Sequence, residues 1–243
     1  MDYNGFRKYF TPQNMLPQII GIGLVAVGAV FIIIGMFFLY MGVVIVAVGL
    51  CIIVFARESR PSDTDLDEAI AKKIKDLDDT AKHQIDIREH LVKAFPPVAF
   101  SDFDFTGVDE AEGEFLIHKG RDGKYRTNRY SAAEIMFTQD RLHIYMIKFY
   151  VTEQNEKETT LSERYENLKC ARLETRRHSF EVNVNSGKKT KTAELEFNFI
   201  VIENGDGDIM FEMPVHESAE VDKTVADINR LIETKKVQSG ANN

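Results

Sequence analysis

MLPQIIGIGLVAVGAVFIIIGMFFLYMGVVIVAVGLCIIVFA, residues 15–56, runs for 42 positions without an Asp, Glu, Lys, Arg or His. Water-soluble folds do not carry such a run. A single helix of this length would extend about 63 Å, twice the hydrocarbon core of about 30 Å. The stretch therefore reads as two transmembrane helices, near Pro17–Gly35 and Tyr40–Ala56, joined by a tight turn at Met36-Phe37-Phe38-Leu39. Each is just long enough for one crossing. The rest of the chain is then expected to be a domain held at the membrane surface.

The flanks of the run orient it. Arg7 and Lys8 precede it, and Arg57 and Arg60 follow it. By the positive-inside rule both termini lie in the cytoplasm, at the inner or plasma membrane. The run is too long for the apolar core of a cleaved leader and lacks a small-residue cleavage site. Glycines fall at 21, 28, 35, 42 and 49, one every seven residues. Seven residues are close to two helical turns, so Gly21 shares a face with Gly28, and Gly42 with Gly49. Small residues on one face let helices approach closely in lipid. The reading is a helix-packing seam, either within the hairpin or between copies. With no ionisable residue in the run, nothing in it marks an ion path.

Charge divides the chain. Residues 1–61 hold four basic and two acidic residues, and the remainder holds 26 basic and 36 acidic. So acidic a domain argues against nucleic-acid binding, which rests on neutralising phosphates. Of the two cysteines, Cys51 lies inside the apolar run and Cys170 outside it. No disulfide framework exists, as suits a reducing compartment.

Residues 1–16 read as a short lead-in whose Phe6, Tyr9 and Phe10 rest at the headgroups, with Thr11 or Asn14 capping the first membrane helix. After the hairpin, Pro61 is followed by Ser62-Asp63-Thr64-Asp65, a helix start with acidic residues in the first turn. Leu66, Ile70, Ile74, Leu77, Ala81, Ile85, Arg88, Val92 and Phe95 then recur at steps of three or four. That pattern predicts one amphipathic linker helix over 62–95, ended by Pro96-Pro97. Its stripe needs a partner: its own domain, the membrane surface or a second copy.

From Val98 the period becomes two. Residues 99–113 read as an acidic loop. Strand-like segments follow, punctuated by turns at Asp122-Gly123, Asn185-Ser186-Gly187 and Asn204-Gly205-Asp206-Gly207-Asp208. A closing helix carries Val221, Val225, Ile228, Leu231 and Ile232 on one face, and 237–243 read as a disordered tail.

Within a domain read over 98–236, about seven antiparallel strands and one C-terminal amphipathic helix resemble, over about 114–236, a pleckstrin-homology (PH)-like domain. Phe137–Tyr150, Leu173-Glu174-Thr175 and Ile209–Leu231 are the most similar stretches. With the hairpin in front, the chain is similar to membrane-anchored bacterial PH-like proteins, including the YcxB-like type. The insertion Arg176–Thr192 and the linker helix depart from that pattern. The resemblance implies an α+β fold, with a curved barrel plugged by the helix. It also implies a binding or scaffolding role without catalysis.

The richest cationic stretch is Lys119, Arg121, Lys124, Arg126 and Arg129, around a tight turn. Such a cluster is an anion or headgroup candidate, and the resemblance implies the same for basic residues near a first hairpin. Lys188, Lys189 and Lys191 read as a second basic loop. The Asn204–Asp208 segment lacks the twelfth-position Glu of a calcium loop. No P-loop, G-x-G-x-x-G, H-E-x-x-H or G-x-S-x-G is present. The expectation is a non-catalytic, membrane-anchored module without cofactor or metal, offering its domain to a protein partner and able to self-associate through hairpin or linker. The alternative is a sensor or transport accessory in which the glycine-seamed hairpin is itself functional.

Overall fold

The computed structural model describes residues 1–11, 15–35, 38–58, 60–85, 91, 95–106, 114–184, 189–216 and 218–240. The expected cap at Asn14, the turn at Met36-Phe37, most of 86–94 and Lys188 lie outside them.

Six helices are described: α1 (Tyr3–Phe10), α2 (Leu16–Ile34), α3 (Leu39–Glu58), α4 (Asp63–Ile74), α5 (Leu77–Ile85) and α6 (Ala219–Gly240). Helices α2 and α3 are each long and apolar enough to cross a membrane. They lie antiparallel, and Gly35, at φ +141°, closes α2 in a backbone region that glycine alone enters easily.

Nine strands are described: β1 (Val98–Phe103), β2 (Ile117–Lys119), β3 (Tyr125–Thr127), β4 (Arg129–Phe137), β5 (Arg141–Tyr150), β6 (Glu156–Arg164), β7 (Leu168–Val184), β8 (Lys189–Asn204) and β9 (Ile209–Val215). They form a four-stranded sheet in the order β1-β4-β5-β6, a three-stranded sheet β7-β8-β9 and the small hairpin β2-β3. Every pairing is antiparallel.

Three expectations are corrected. Val98–Phe103, read as loop, is a strand that pairs along β4 from Val98↔Ile135 to Phe103↔Tyr130. Residues 176–184, within the stretch Arg176–Thr192 read as an insertion, continue β7, and its polar residues pair across the ladder: Arg177 with Glu196, and Arg176 with Glu212 on β9. The closing helix continues to Gly240, into the segment read as tail.

The larger correction concerns the linker. The chain turns at Lys75-Asp76, so α4 and α5 are separate helices. Both lie on the four-stranded sheet. Leu66 and Ile70 of α4 pack with Phe149 and Val151, and Leu77 and Ala81 of α5 pack with Ala132, Met136 and Tyr145. Of the three partners the stripe could take, this one covers the described part. Nor do Phe6, Tyr9 and Phe10 lie exposed at the headgroups. They are buried in the same cluster as Leu66 and Ile70, so α1 belongs to the sheet domain.

The other face of the sheet buries Ala133, Ile135, Phe137, Leu142 and Ile144 against Ile200, Ile202, Phe211 and Met213 of the second sheet. Val221, Ile228 and Ile232 of α6 close that core. Asn229 locks α6 to β7: its Nδ2 donates to the Ala171 carbonyl and its Oδ1 accepts from the Ala171 amide, both at 2.8 Å. β4 is thus covered on both faces, and from Ser131 to Phe137 every residue is buried.

Leu66 is fully buried where α1, α4 and β5 meet. Leu66→Ala should cost about 3 kcal/mol, the middle of the range for emptying a core leucine site. Chemical denaturation of the full chain in detergent measures it. A loss below about 1 kcal/mol would mean that α4 detaches from the sheet at little cost.

Candidate functional site: the junction of hairpin and sheet domain

Both connections to the apolar hairpin, α1 before it and α4 after it, meet the β2-β3 hairpin. The turn forms because Asp122-Gly123 allows the chain to reverse. Gly123 sits at φ +83°, the Gly120 amide donates to the Lys124 carbonyl at 2.8 Å, and the Asp122 carboxylate accepts from the Lys124 amide at 3.0 Å. Arg126, on the returning strand, then faces α4.

Arg126 is the centre of the junction. Its Nε and Nη2 donate to Asp67 at 3.1 and 2.8 Å, and its Nη1 and Nη2 donate to Asp122 at 3.0 and 2.9 Å. The guanidinium side chain is 4% exposed, against 51% and 37% for the two carboxylates. Two bidentate contacts engage all three nitrogens of the planar fork. One turn earlier on α4, Asp63 accepts from the Tyr9 hydroxyl at 2.7 Å and from the Arg121 amide at 2.8 Å. The Tyr9 ring rests 4.4 Å from that of His118. Gly120 is required here, since a Cβ would collide with the Arg126 guanidinium, the Asp122 carboxylate and Asp63.

The electrostatics follow from these contacts. Burial works against the Arg126 charge, but the Asp122 and Asp67 hydrogen bonds outweigh it and raise the pKa above the ordinary arginine range. The Arg126 hydrogen bonds, then the Lys124 amide, lower the Asp122 carboxyl to about 2. For Asp63, burial is overcome by the Tyr9 hydroxyl and the Arg121 amide, and its pKa falls. His118 is held below its usual value, first by burial and then by Arg60 and Arg126 against the opposing pull of Asp63.

The five cations expected to form one anion cradle do not do so. Arg126 is committed to carboxylates. Arg129 lies half-buried between the rings of Phe115 and Tyr150, at 5.1 and 5.2 Å, and its Nη1 donates to the Thr106 carbonyl. Lys119, Arg121 and Lys124 are exposed, Lys119 over the Tyr125 ring. Lys189 and Lys191 pair with Val184 and Val182 at the far end of the β7–β8 ladder. Tyr9, Asp63 and Asp67 escaped the sequence reading. The available signal was the spacing of Asp63 and Asp67, which puts two carboxylates on one helix face, where Asp63 also resembles an ordinary first-turn acid.

The glycines meet in two pairs inside the hairpin. A Cβ on Gly21 would stand 2.9 Å from the Gly49 carbonyl, and one on Gly28 2.8 Å from the Gly42 carbonyl. The reverse distances are both 2.7 Å. Backbone therefore packs on backbone at both levels.

On the opposite side of the domain, β6 and β9 each end a sheet. A groove of about 440 Å³ lies between them, floored by Ile144, Met146, Leu161 and Phe211 and rimmed by Ile209 and Met210. Among the described residues no cluster of three metal-ligating side chains occurs.

No protein-family model, curated protein or solved structure matches this chain. The site has to be read from its own geometry.

That geometry makes an asymmetric prediction. Arg126→Met removes a charge whose partners are open to water and can rehydrate. Asp67→Asn with Asp122→Asn instead strands a buried guanidinium, the costlier change. The double variant should therefore lower the urea midpoint further than Arg126→Met does. The pH dependence has a defined sign. Asp122 has a folded pKa near 2, against an ordinary value of about 3.9, so its contribution is present above about pH 4 and lost as pH falls towards 2. The gap in midpoint between the native chain and Asp122→Asn should close across that window.

Proposed function

We propose that the chain is a non-catalytic, membrane-anchored interaction module. Its two apolar helices span the inner or plasma membrane, and both ends face the cytoplasm. The observation that carries the reading is the double pinning of the hairpin. The segment entering it and the segment leaving it are both buried on the same sheet; α4 is bonded to the β2-β3 hairpin, and α1 is bonded to α4 through Tyr9 and rests its ring on His118 of β2. A domain so held has a set height and orientation at the bilayer, as display to a partner requires.

A PH-like assignment of the sheet domain is supported by its element order. Four antiparallel strands precede three more, and a C-terminal helix packs on the core between them. The β2-β3 hairpin and the helices on the outer face are additions to that plan. The anchor reading, rather than a conducting or sensing hairpin, is favoured by the seam: the small-residue faces are used up between α2 and α3.

The surface offered to the partner is the groove between β6 and β9, and its occupant is an extended protein segment laid as a strand beside β6. Sheet edges bind such segments through main-chain hydrogen bonds, with alternate side chains filling a pocket. An apolar floor beneath an unpaired edge suits that mode.

A photo-crosslinker at Ile209, which is 49% exposed, tests this in native membranes. A discrete crosslinked protein should form from 209 and not from Glu166. It should persist when residues 16–58 are exchanged for an unrelated two-helix anchor, and disappear in a groove variant, Met210→Glu. Loss on anchor exchange, with persistence in Met210→Glu, would transfer the function to the hairpin.

A further inference from the structure

A second cavity, of about 460 Å³, opens beneath the junction, between α1 and the connection from α3 to α4. Its polar lining is Asp2, Asn4, Lys8, Arg60 and Asp65. Both acids already have structural work. Asp2 caps α1 by accepting from the Gly5 amide at 3.0 Å. Asp65 completes the capping box of α4, accepting from the Ser62 amide and hydroxyl at 2.7 and 2.8 Å. The two cations have none: among the described residues neither Lys8 nor Arg60 makes an ion pair. Arg60 is half-buried, and that burial lowers its pKa. A half-buried guanidinium and an exposed ammonium in the wall of one cavity, with the carboxylates there hydrogen-bonded to helix termini, suit an anion.

Its height identifies the anion. Arg60 stands four residues past Ala56, where the apolar run ends, and two past the end of α3 at Glu58, a helical rise of about 3 Å and then at most about 7 Å of chain. The headgroup layer on each side of a bilayer is about 5–8 Å thick. Granting that α2 and α3 span the membrane, the cavity opens within that layer. Its volume suits a small polar group.

We propose that this cavity seats the phosphate of a phospholipid headgroup, with Lys8 and Arg60 as its ligands. The site is distinct from the Lys119–Arg129 cluster. It makes the lipid a third component of the junction, beside the Arg126 clasp and the α1–α4 packing. Bound there, the phosphate bridges the segment that enters the hairpin and the segment that leaves it.

Full-length chain is extracted from native membranes in mild detergent, washed by detergent exchange, and its phospholipid measured by native mass spectrometry and phosphorus assay. The native chain should retain one phospholipid. Lys8→Gln with Arg60→Gln should lower retention about tenfold or more, while Lys119→Gln with Lys124→Gln should leave it unchanged. Retention by the Lys8/Arg60 variant equal to the native chain overturns the proposal, as does a native chain without lipid. Displacement of the lipid by inorganic phosphate would make this a free-anion site and likewise overturn it. Release of the chain from membranes by alkaline carbonate would instead sink the anchor reading, a separate result. Both substituted side chains lie outside the buried clusters, so unchanged thermal unfolding checks that the variant remains folded.

Discussion

One guanidinium organises the molecule. Arg126 is buried between two carboxylates from different parts of the chain, Asp67 on α4 and Asp122 in the β2-β3 turn. Removing a charge from water is costly, and close pairing with hydrogen bonds offsets the cost. Here two carboxylates accept four hydrogen bonds from the guanidinium. An apolar residue at 126 would remove the burial cost too, but it would not specify which helix lies on which turn. The charge pairs well only if α4 sits in one register over β3, and that register also brings Asp63 to the Tyr9 hydroxyl and the Arg121 amide.

The consequence is mechanical. A helical hairpin in lipid has no strong preference for how a domain hangs from it, since a flexible connection leaves orientation free. Here the chain enters the hairpin from α1 and leaves it into α4, and the two lie in one apolar cluster with Phe149 and Val151 of the sheet. Two attachments fix a rotation that one would leave open. The glycine pairs do the same inside the hairpin, bringing α2 and α3 backbone to backbone so that the two helices pack as one body.

The parts of this design that were legible in the sequence follow local rules. An uncharged run longer than one crossing gives two helices, and Asn-Gly or Asp-Gly between alternating segments gives hairpins, as at Gly123 and Gly207. The seven-residue glycine spacing pointed to a seam before its partner was known. The misreadings arise where tertiary contacts override pattern. The stripe from Leu66 to Ala81 keeps its period through Lys75-Asp76, where no glycine or proline marks the turn, because both helices bury the same kind of face on the same sheet. The stretch Arg176-Arg177-His178, read as the start of an insertion, stays in strand β7, where cross-strand carboxylates absorb the arginines.

The cationic turn shows the limit of composition most clearly. Five positive residues within 119–129 suggest one anion site, yet burial sorts them by role. Arg126 and Arg129 point inward, to carboxylates and to aromatic faces, and stiffen the domain. A basic residue is available to an external anion only when no internal acceptor claims it. Lys8 and Arg60 are far apart in sequence and stand in no visible cluster. They meet because the hairpin returns the chain to its starting side, so the fold that conceals one basic group creates another.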